Sequence, residues 1–402
     1  MFILEGFKGK REWWRYVLVI LIVFVGYNIG TIPMLMALWR SVANNPELEQ
    51  GDVQKFFENP DFGLFGIDSN LGLVLMLLMF VSALAVFYFI FRPVHGRQFK
   101  TVIRTEGSLD WGRIFFGFGL WLSFSLVFEV IGYFLAPDNY TLSLELKRFL
   151  PLVLICMLIL PIQTSFEELF FRGYLMQAIG TARFSKVLTV VGSCIITYLA
   201  YKIIGVDFLP SSDNPNHTSL ARTAAQIAYV LLFAVLVWGS NNMFDREQSK
   251  SAPYNYKIVA LVLTSILFGL IHSANPEIEK FGYGIMQVYY VSAGLFLGIM
   301  TLMDNRMELA LGVHAATNFT GAVFVGYEGG AIQTYSLLKT TDLDPYLMTG
   351  GFFMLAILFL LIAKKKYGWG SFAQLNEPIY KPDENQALNH LLENGTTSNN
   401  SA

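Results

Sequence analysis

The chain has 402 residues, of which 54% are hydrophobic and only 14% are charged, whereas about a quarter of the residues in a soluble domain are charged. So few charges cannot cover a soluble globule of this size, which excludes an ordinary soluble enzyme, a disordered chain and a fibre. The net charge of −2 provides no basic field that would attract nucleic acid. Because both cysteines, Cys156 and Cys194, lie in apolar runs, neither a disulfide framework nor a Cys-based zinc site is expected.

Long apolar stretches predict membrane-spanning helices along most of the chain. A run of about 18 or more apolar residues is typical of such a helix, and the sequence holds about ten of them. They cover residues 13–39, 71–91, 115–136, 149–180, 187–204, 223–238, 258–273, 283–303, 309–325 and 347–363. The first run is too long for a cleavable signal peptide, so it is interpreted as a retained first span. The predicted fold is therefore an all-α, polytopic transmembrane helical bundle.

The charges of the connecting segments predict the orientation of this bundle. Lysine and arginine residues precede the first span and follow the second, fourth, sixth, eighth and tenth, whereas the opposite loops are acidic or neutral. Under the positive-inside rule, both termini are cytoplasmic. An even number of spans agrees with that arrangement. The expected location is the plasma membrane of a bacterium, with the lipid bilayer as the surroundings of the protein.

Ionisable side chains inside the apolar stretches are the first candidates for function, since such groups are costly at membrane depth and usually have a role there. Of the five histidines, His272 and His314 lie within apolar helices. The acids at similar depth are the neighbouring Glu167 and Glu168, together with Glu129 in the third span. These residues belong to different predicted helices, so a common site would have to form by helix packing.

The segment SFEELFFRGYLMQ, residues 165–177, separates two roles for adjacent glutamates. Glu168 and Arg172 are four residues apart, so they share a helix face and can form an ion pair. Glu167 points about 100° away from Glu168, because a helix has about 3.6 residues per turn. One carboxylate is thus neutralised by arginine, and the other is available for chemistry.

Two further segments place polar groups on single helix faces. Phe268 and His272 are one turn apart in LFGLIHSANP, and His314 and Asn318 are one turn apart in LGVHAATNF. A histidine and an asparagine on one face present two side-chain hydrogen-bond donors. Two donors that converge on one point are suited to stabilising a developing oxyanion.

Helix arithmetic places the three segments at comparable depths. At about 1.5 Å per residue, Glu167 lies ~20 Å from the cytoplasmic end of its span, and His272 lies ~22 Å from the start of its own. His314 is shallower, at ~12 Å, but tilt and side-chain length bring it within reach. The sequence therefore predicts that three helices converge on one polar cavity inside the membrane.

The three segments together resemble a known family. EELFFR at 167–172 fits the pattern EExxxR, FGLIH at 268–272 fits FxxxH, and HAATN at 314–318 fits HxxxN, in the same order. The chain therefore resembles the CPBP family of intramembrane proteases, which includes the CAAX prenyl endopeptidases and bacterial relatives linked to bacteriocin maturation or immunity. One departure is an insert with two predicted spans between the first and second motifs. An even number of inserted spans preserves the orientation of the later motif helices.

The resemblance implies peptide-bond hydrolysis inside the membrane. Glu167 and His272 would hold and activate a water molecule, and His314 and Asn318 would stabilise the tetrahedral oxyanion. The substrate would be a membrane-embedded or membrane-anchored peptide or protein. Prenylation of that substrate is implied by family analogy alone, which is a weak guide to function.

The resemblance also assigns supporting residues, and it leaves open whether the site binds a metal ion. Glu168 and Arg172 would brace the site. Two histidines and a glutamate, namely His272, His314 and Glu167, form a set that could bind zinc. Because no HExxH motif is present, a metal-independent glutamate mechanism without a cofactor is favoured over a metalloprotease.

The predicted organisation has four parts. These are an N-terminal three-helix membrane segment, a catalytic membrane core with a two-helix insert at about 184–240, a last loop with the final membrane helix, and a disordered polar cytoplasmic tail. Their bounds are residues 1–148, 149–326, 327–368 and 369–402.

Two other functions are compatible with the sequence. The first is a catalytically inactive relative that binds membrane peptides or acts in immunity or assembly; the intact Glu167, His272, His314 and Asn318 argue against it. The second is a proton-coupled transporter that uses Glu167 and the histidines as a proton relay. The absence of an internal sequence repeat gives that second function no support.

Overall fold

The computed structural model describes most of the chain in two compact units. The described residues are 2–104, 107–183, 186–187, 189–194, 197, 228, 231–237, 253–327, 329–340 and 343–382. The first unit comprises residues 1–178 and 257–377, and the second comprises residues 179–256 and 378–402. About half of each of the predicted spans 187–204 and 223–238 lies outside the described residues, and so does the whole tail after residue 382. The bounds predicted for the four parts of the chain stay predictions.

Helices account for nearly all regular structure in the described residues. In chain order they are α1 (Trp13–Asn44), α2 (Gln50–Glu58), α3 (Ser69–His95), α4 (Trp111–Leu135), α5 (Leu146–Leu158), α6 (Leu160–Glu168), α7 (Met176–Thr181), α8 (Lys257–Ile271), α9 (Pro276–Phe281), α10 (Tyr283–Asp304), α11 (Glu308–Phe319) and α12 (Pro345–Tyr367). Two π-helical turns, Leu169–Leu175 and Thr320–Phe324, continue α6 and α11. The short strands are β1 (Tyr140–Leu142), β2 (Asn255–Tyr256), β3 (Val325–Tyr327), β4 (Leu338–Thr340) and β5 (Pro378–Ile379).

Seven helical stretches of the described residues are long and apolar enough to cross a membrane. They are Trp13–Asn44, Ser69–His95, Trp111–Leu135, Leu146–Thr181, Lys257–Ala274, Tyr283–Asp304 and Pro345–Tyr367. The predicted all-α polytopic membrane fold is therefore confirmed, and each of these stretches overlaps a predicted span. The predicted span 309–325 forms the shorter helix α11 and a π-helical turn, and the chain then enters strand β3. The total number of spans and the cytoplasmic termini stay predictions.

Local signals account for where several of these helices begin and end. Asp68, Asp110 and Asp344 accept hydrogen bonds from backbone N–H groups at the starts of α3, α4 and α12, which satisfies donors that have no partner within the helix. Gly96 and Gly368 adopt the left-handed conformation that ends α3 and α12. Polar residues next to apolar runs thus set the ends of these membrane helices.

A small three-stranded sheet includes β3, the strand that begins directly after the π-helical turn of α11. Its strand order is β1-β4-β3, with β1 antiparallel and β3 parallel to β4. The Thr334 hydroxyl donates a 2.6 Å hydrogen bond to the carbonyl oxygen of Ala322, in the π-helical turn. This hydrogen bond ties the π-helical turn after α11 to the segment between β3 and β4. In the second unit, β2 pairs with β5 in an antiparallel manner.

Helix α11 lies against α4 at a spacing that only glycine permits. A Cβ atom added at Gly312 would overlap the carbonyl oxygen of Ile114, and one added at Gly117 would lie 2.7 Å from a carbonyl oxygen of α11. Small residues allow membrane helices to approach closely, since packing rather than the hydrophobic effect holds them together. The position of everything on α11, including His314, depends on this crossing.

We predict that Gly312→Ala moves α11 away from α4 and lowers the free energy of unfolding by about 1–3 kcal/mol, because the added methyl group has no space. The control is Gly119→Ala on α4, where an added Cβ meets no atom within 4 Å. Thermal unfolding in detergent measures both variants. Equal effects of the two substitutions would contradict the role given to this crossing.

Candidate active site

The candidate residues converge from three helical elements. The end of α6 and the π-helical turn after it carry Glu167, Glu168 and Arg172. His272 is the first residue after α8, and α11 carries the other histidine and the asparagine. π-Helical turns within α-helices are frequently found at functional sites. This one directly follows the two adjacent carboxylates.

Glu168 is the most enclosed member of the cluster and has two basic partners. Its Oε1 atom accepts hydrogen bonds from Nη1 of Arg172 at 2.8 Å and from Nδ1 of His314 at 2.7 Å. Glu168 and Arg172 are both 0% exposed. The arginine contact has the four-residue spacing seen in the sequence, whereas the histidine contact joins two distant helices and has no local sequence signal. Glu168 therefore connects the π-helical turn to α11.

Glu167 is held by an amide chain that starts on α11. Nδ2 of Asn318 donates to Oε1 of Gln163 at 2.9 Å, and Nε2 of Gln163 donates to Oε1 of Glu167 at 2.7 Å. Gln163 was not among the residues selected from the sequence. It lies one helical turn before Glu167, and that spacing on a shared face is the signal that could have identified it.

The second oxygen of Glu167 keeps its bonding capacity. The Oε2 atom is buried and makes no hydrogen bond within the described residues. Nε2 of His314 lies 3.5 Å from it, which is longer than a direct hydrogen bond. A carboxylate oxygen and an imidazole nitrogen thus lie side by side, and each can bond to a third group.

His272 is oriented by its own helix and by neighbouring rings. Its Nδ1 atom lies 2.6 Å from the carbonyl oxygen of Phe268, so Nδ1 carries the proton and Nε2 of the neutral ring is an acceptor. Tyr290 stacks on the imidazole with centroids 4.4 Å apart. The ring of Phe268 contacts both His272 and His314, and Nε2 of His314 lies 3.5 Å from Oε2 of Glu167. His272 and Glu167 therefore belong to one connected cluster of side chains.

Phe268 packs among the charged members of the cluster. The guanidinium carbon of Arg172 lies 4.0 Å from the centre of its ring, an arrangement that favours the cation. The ring centroid is also 4.4 Å from that of His272 and 6.1 Å from that of His314. This one apolar side chain contacts residues of all three motifs.

The fit of the cluster to a metal ion can be judged from its donors. Within the part of the chain that the structure describes, no group of three or more His, Cys, Asp and Glu side chains is arranged to hold a metal ion. Nδ1 of His314 is directed at Glu168, so only its Nε2 faces Glu167. The choice between a glutamate mechanism and a metal-dependent one therefore stays a prediction.

Another buried carboxylate, outside the three motifs, lies on α9. Glu277 is 4% exposed, and its Oε1 atom accepts hydrogen bonds from the hydroxyl of Tyr327 at 3.2 Å and from the backbone N–H of Ala331 at 2.9 Å. Burial raises the pKa of Tyr327 well above its ordinary value, and the charge of Glu277 adds to that shift. The phenol therefore stays protonated and donates, which ties α9 to strand β3.

Glu129, the remaining acid of the predicted spans, has a separate partner. Its Oε2 atom accepts a 3.2 Å hydrogen bond from the hydroxyl of Tyr140 at the start of β1. Burial raises the pKa of Tyr140 to about 12, and the neighbouring Glu129 contributes to the shift. The contact links α4 to the small sheet.

Comparisons with known proteins support the family resemblance. Residues 242–320 match the family model described as type II CAAX prenyl endopeptidase Rce1-like, a stretch that contains FGLIH and HAATN. The chain is similar to the uncharacterized protein YyaK of Bacillus subtilis (strain 168), with 25% identity over 354 residues that cover 87% of this chain and 90% of that protein. No solved structure matches the chain. The resemblance predicted from the motifs is therefore confirmed, and at the family level it supports an intramembrane CAAX-type endopeptidase.

We predict that Arg172→Met destabilises the protein by about 3–5 kcal/mol, because the substitution leaves the buried charge of Glu168 without its arginine. The matched control is Lys55→Met, which removes an exposed pair with Asp52 at 3.0 Å and is expected to cost less than about 1 kcal/mol. Thermal unfolding of both variants in detergent is the measurement. Equal losses of stability in the two variants would show that the buried pair contributes no more to folding than the exposed pair.

Proposed function

We propose that the protein is an intramembrane endopeptidase that hydrolyses a peptide bond with a water molecule activated by Glu167. The main observation in support of the proposal is that the two oxygens of this carboxylate are bonded differently. One oxygen is fixed by Gln163 at 2.7 Å, while the other is buried, unbonded and 3.5 Å from Nε2 of His314. A fixed carboxylate with one free oxygen suits a general base, which must lie within hydrogen-bond reach of the water it deprotonates.

His272 is proposed to hold the same water molecule. Its Nδ1 atom is engaged by the Phe268 carbonyl group, so Nε2 of the neutral ring can accept a hydrogen bond from water. Phe268 contacts both His272 and His314, and Nε2 of His314 lies 3.5 Å from Glu167, which supports a shared position for His272 and Glu167. Two acceptors would orient the water so that an oxygen lone pair faces the substrate carbonyl carbon.

His314 and Asn318 are proposed to stabilise the oxyanion. Donation from Nε2 of His314 requires a protonated ring, and Glu168, 2.7 Å from Nδ1, would balance that charge. The amide nitrogen of Asn318 uses one N–H group on Gln163 and keeps a second for the oxyanion. Preorganised donors at a developing negative charge are usually a large part of catalysis.

The proposed reaction uses these groups in two steps. The water oxygen bonds to the carbonyl carbon, its proton passes to Glu167, and the carbonyl π electrons move to the oxygen beside His314 and Asn318. When the carbonyl re-forms, the C–N bond breaks, and the proton on Glu167 passes to the leaving amine. The products are a carboxylic acid and an amine, and Glu167 is again a carboxylate.

The membrane-spanning stretches of the chain support the proposed substrate class, and the proposed location keeps the expectation from the sequence. The chain has seven helical stretches able to cross a membrane within its described residues, and two of them carry motif residues. We therefore propose a membrane-embedded or membrane-anchored peptide or protein as the substrate and the plasma membrane as the location. Prenylation of the substrate rests on the family description alone.

We predict that Glu167→Gln lowers the cleavage rate by about 10²–10⁴-fold, since glutamine cannot accept the proton. Purified protein in liposomes is incubated with a panel of membrane-inserted peptides, and mass spectrometry identifies the products. The matched control is Glu129→Gln, which should retain the wild-type rate.

Two outcomes would count against this proposal. Cleavage by the Glu167→Gln variant at the wild-type rate would remove Glu167 as the base. Binding of a peptide without cleavage by either protein would favour the inactive, peptide-binding alternative.

We predict that treatment with 1,10-phenanthroline followed by dialysis leaves the cleavage rate unchanged, in keeping with a glutamate mechanism and with the absence of HExxH. The measurement is the initial rate on one cleaved peptide before and after treatment. A loss of rate that zinc restores would favour the metal-dependent alternative, with Glu167, His272 and His314 as ligands.

A further inference from the structure

Tyr290 lies outside all three motifs but makes the closest ring contact with His272 from another helix. The two rings are stacked, with centroids 4.4 Å apart and planes inclined by 23°. The hydroxyl of Tyr290 accepts a 3.2 Å hydrogen bond from Nδ2 of Asn275, the residue just before α9. Tyr290 is therefore fixed at both its ring and its hydroxyl.

His272 needs such a contact because of its place in the chain. It is half-buried and lies where α8 gives way to the 3-10 turn His272–Ala274. Within the described residues its one protein hydrogen bond runs from Nδ1 to Phe268, and this bond alone restrains rotation of the imidazole about Cβ–Cγ only loosely. A ring stacked on its face fixes this plane, and with it the direction of Nε2.

Helix α10 also contacts residues on either side of His272. One turn before Tyr290, Nε2 of Gln287 donates to the carbonyl oxygen of Gly269 at 3.1 Å and to the hydroxyl of Ser273 at 2.8 Å. Gln287 and Tyr290 are three residues apart and share one face of α10. This face thus contacts the residue after His272, the residue three before it, and the imidazole itself.

We infer that Tyr290 is a positioning residue that sets the imidazole plane of His272 for its contact with the reacting water. The inference rests on the proposed function and deepens it, because it identifies a residue outside the family motifs that orients one of their members. Misplacement of a water-holding group by a fraction of an ångström lowers the rate of reaction more than it lowers substrate binding. Loss of the ring should therefore affect kcat rather than KM.

The kinetic test compares three variants. Tyr290→Met fills the space without a ring, and we expect kcat to fall at least about tenfold while KM stays within about twofold. Tyr290→Phe keeps the stacked ring and should restore kcat to within about threefold of the wild type. The matched control is Tyr289→Met, since Tyr289 packs against Phe352 and Tyr290; its kcat should stay within about threefold of the wild type. If Tyr290→Met does not fold, Tyr290→Leu takes its place.

A spectroscopic test separates this inference from the proposed function. In protein labelled with ¹³C-histidine, the His272 ring resonances are assigned by their loss in His272→Gln. Tyr290→Met should move them downfield, because the shielding by the stacked ring is lost, whereas Tyr290→Phe and Tyr289→Met should leave them in place. This readout needs no substrate, so it tests the stacked contact on which the positioning role depends even if the wild type cleaves no peptide.

Three results would overturn the inference. Unchanged His272 resonances in Tyr290→Met would show that the ring does not set the imidazole plane. Equal losses of kcat in Tyr290→Met and Tyr289→Met would show a general packing effect. A rise in KM with unchanged kcat in Tyr290→Met would assign Tyr290 to substrate binding instead.

Discussion

The arrangement of the site depends on the burial of one charge, the carboxylate of Glu168. A fully enclosed carboxylate costs several kcal/mol unless it is paired and hydrogen-bonded. Its two partners, Arg172 and His314, lie 2.8 and 2.7 Å from the same oxygen and belong to different helical elements. Satisfying this charge therefore holds α11 against the end of α6. With His314 fixed through Nδ1, its Nε2 atom lies beside Glu167.

The two adjacent glutamates thus have different partners, because a helix turns about 100° between them. The carboxylate of Glu168 is directed at basic groups, whereas Glu167 is directed at amides and keeps one unbonded oxygen. The apolar packing joins these groups again. Phe268 contacts the cation of Arg172 and both histidine rings, and the glycine crossing at Gly312 sets how close α11 can come. Charge pairing and close helix packing therefore determine the same geometry.

Elements outside the motifs also contact the site. Helix α10 stacks Tyr290 on His272, and α9 places Glu277 against Tyr327 of β3. Through these contacts, the short helix and the small sheet are joined to the ends of two motif helices. A polar residue at the end of α8 would otherwise sit on a fraying helix terminus, where local opening is least costly. The proposed chemistry then needs both the motif residues and this supporting frame.

The sequence by itself determined the membrane class of the protein, the approximate bounds of seven spans, the three motifs and the Glu168–Arg172 spacing. Each of these depends on local information, namely hydropathy along the chain or a four-residue period on one helix. Only the tertiary structure decided that His314 contacts Glu168, that Gln163 links Asn318 to Glu167, that Tyr290 covers His272, and that residues 309–325 form a short helix and turn followed by a strand. These contacts depend on how each helix is rotated and how far it is shifted against a neighbour that is distant in sequence. Side-chain packing across the bundle sets that rotation and shift, and no periodicity within one segment records them.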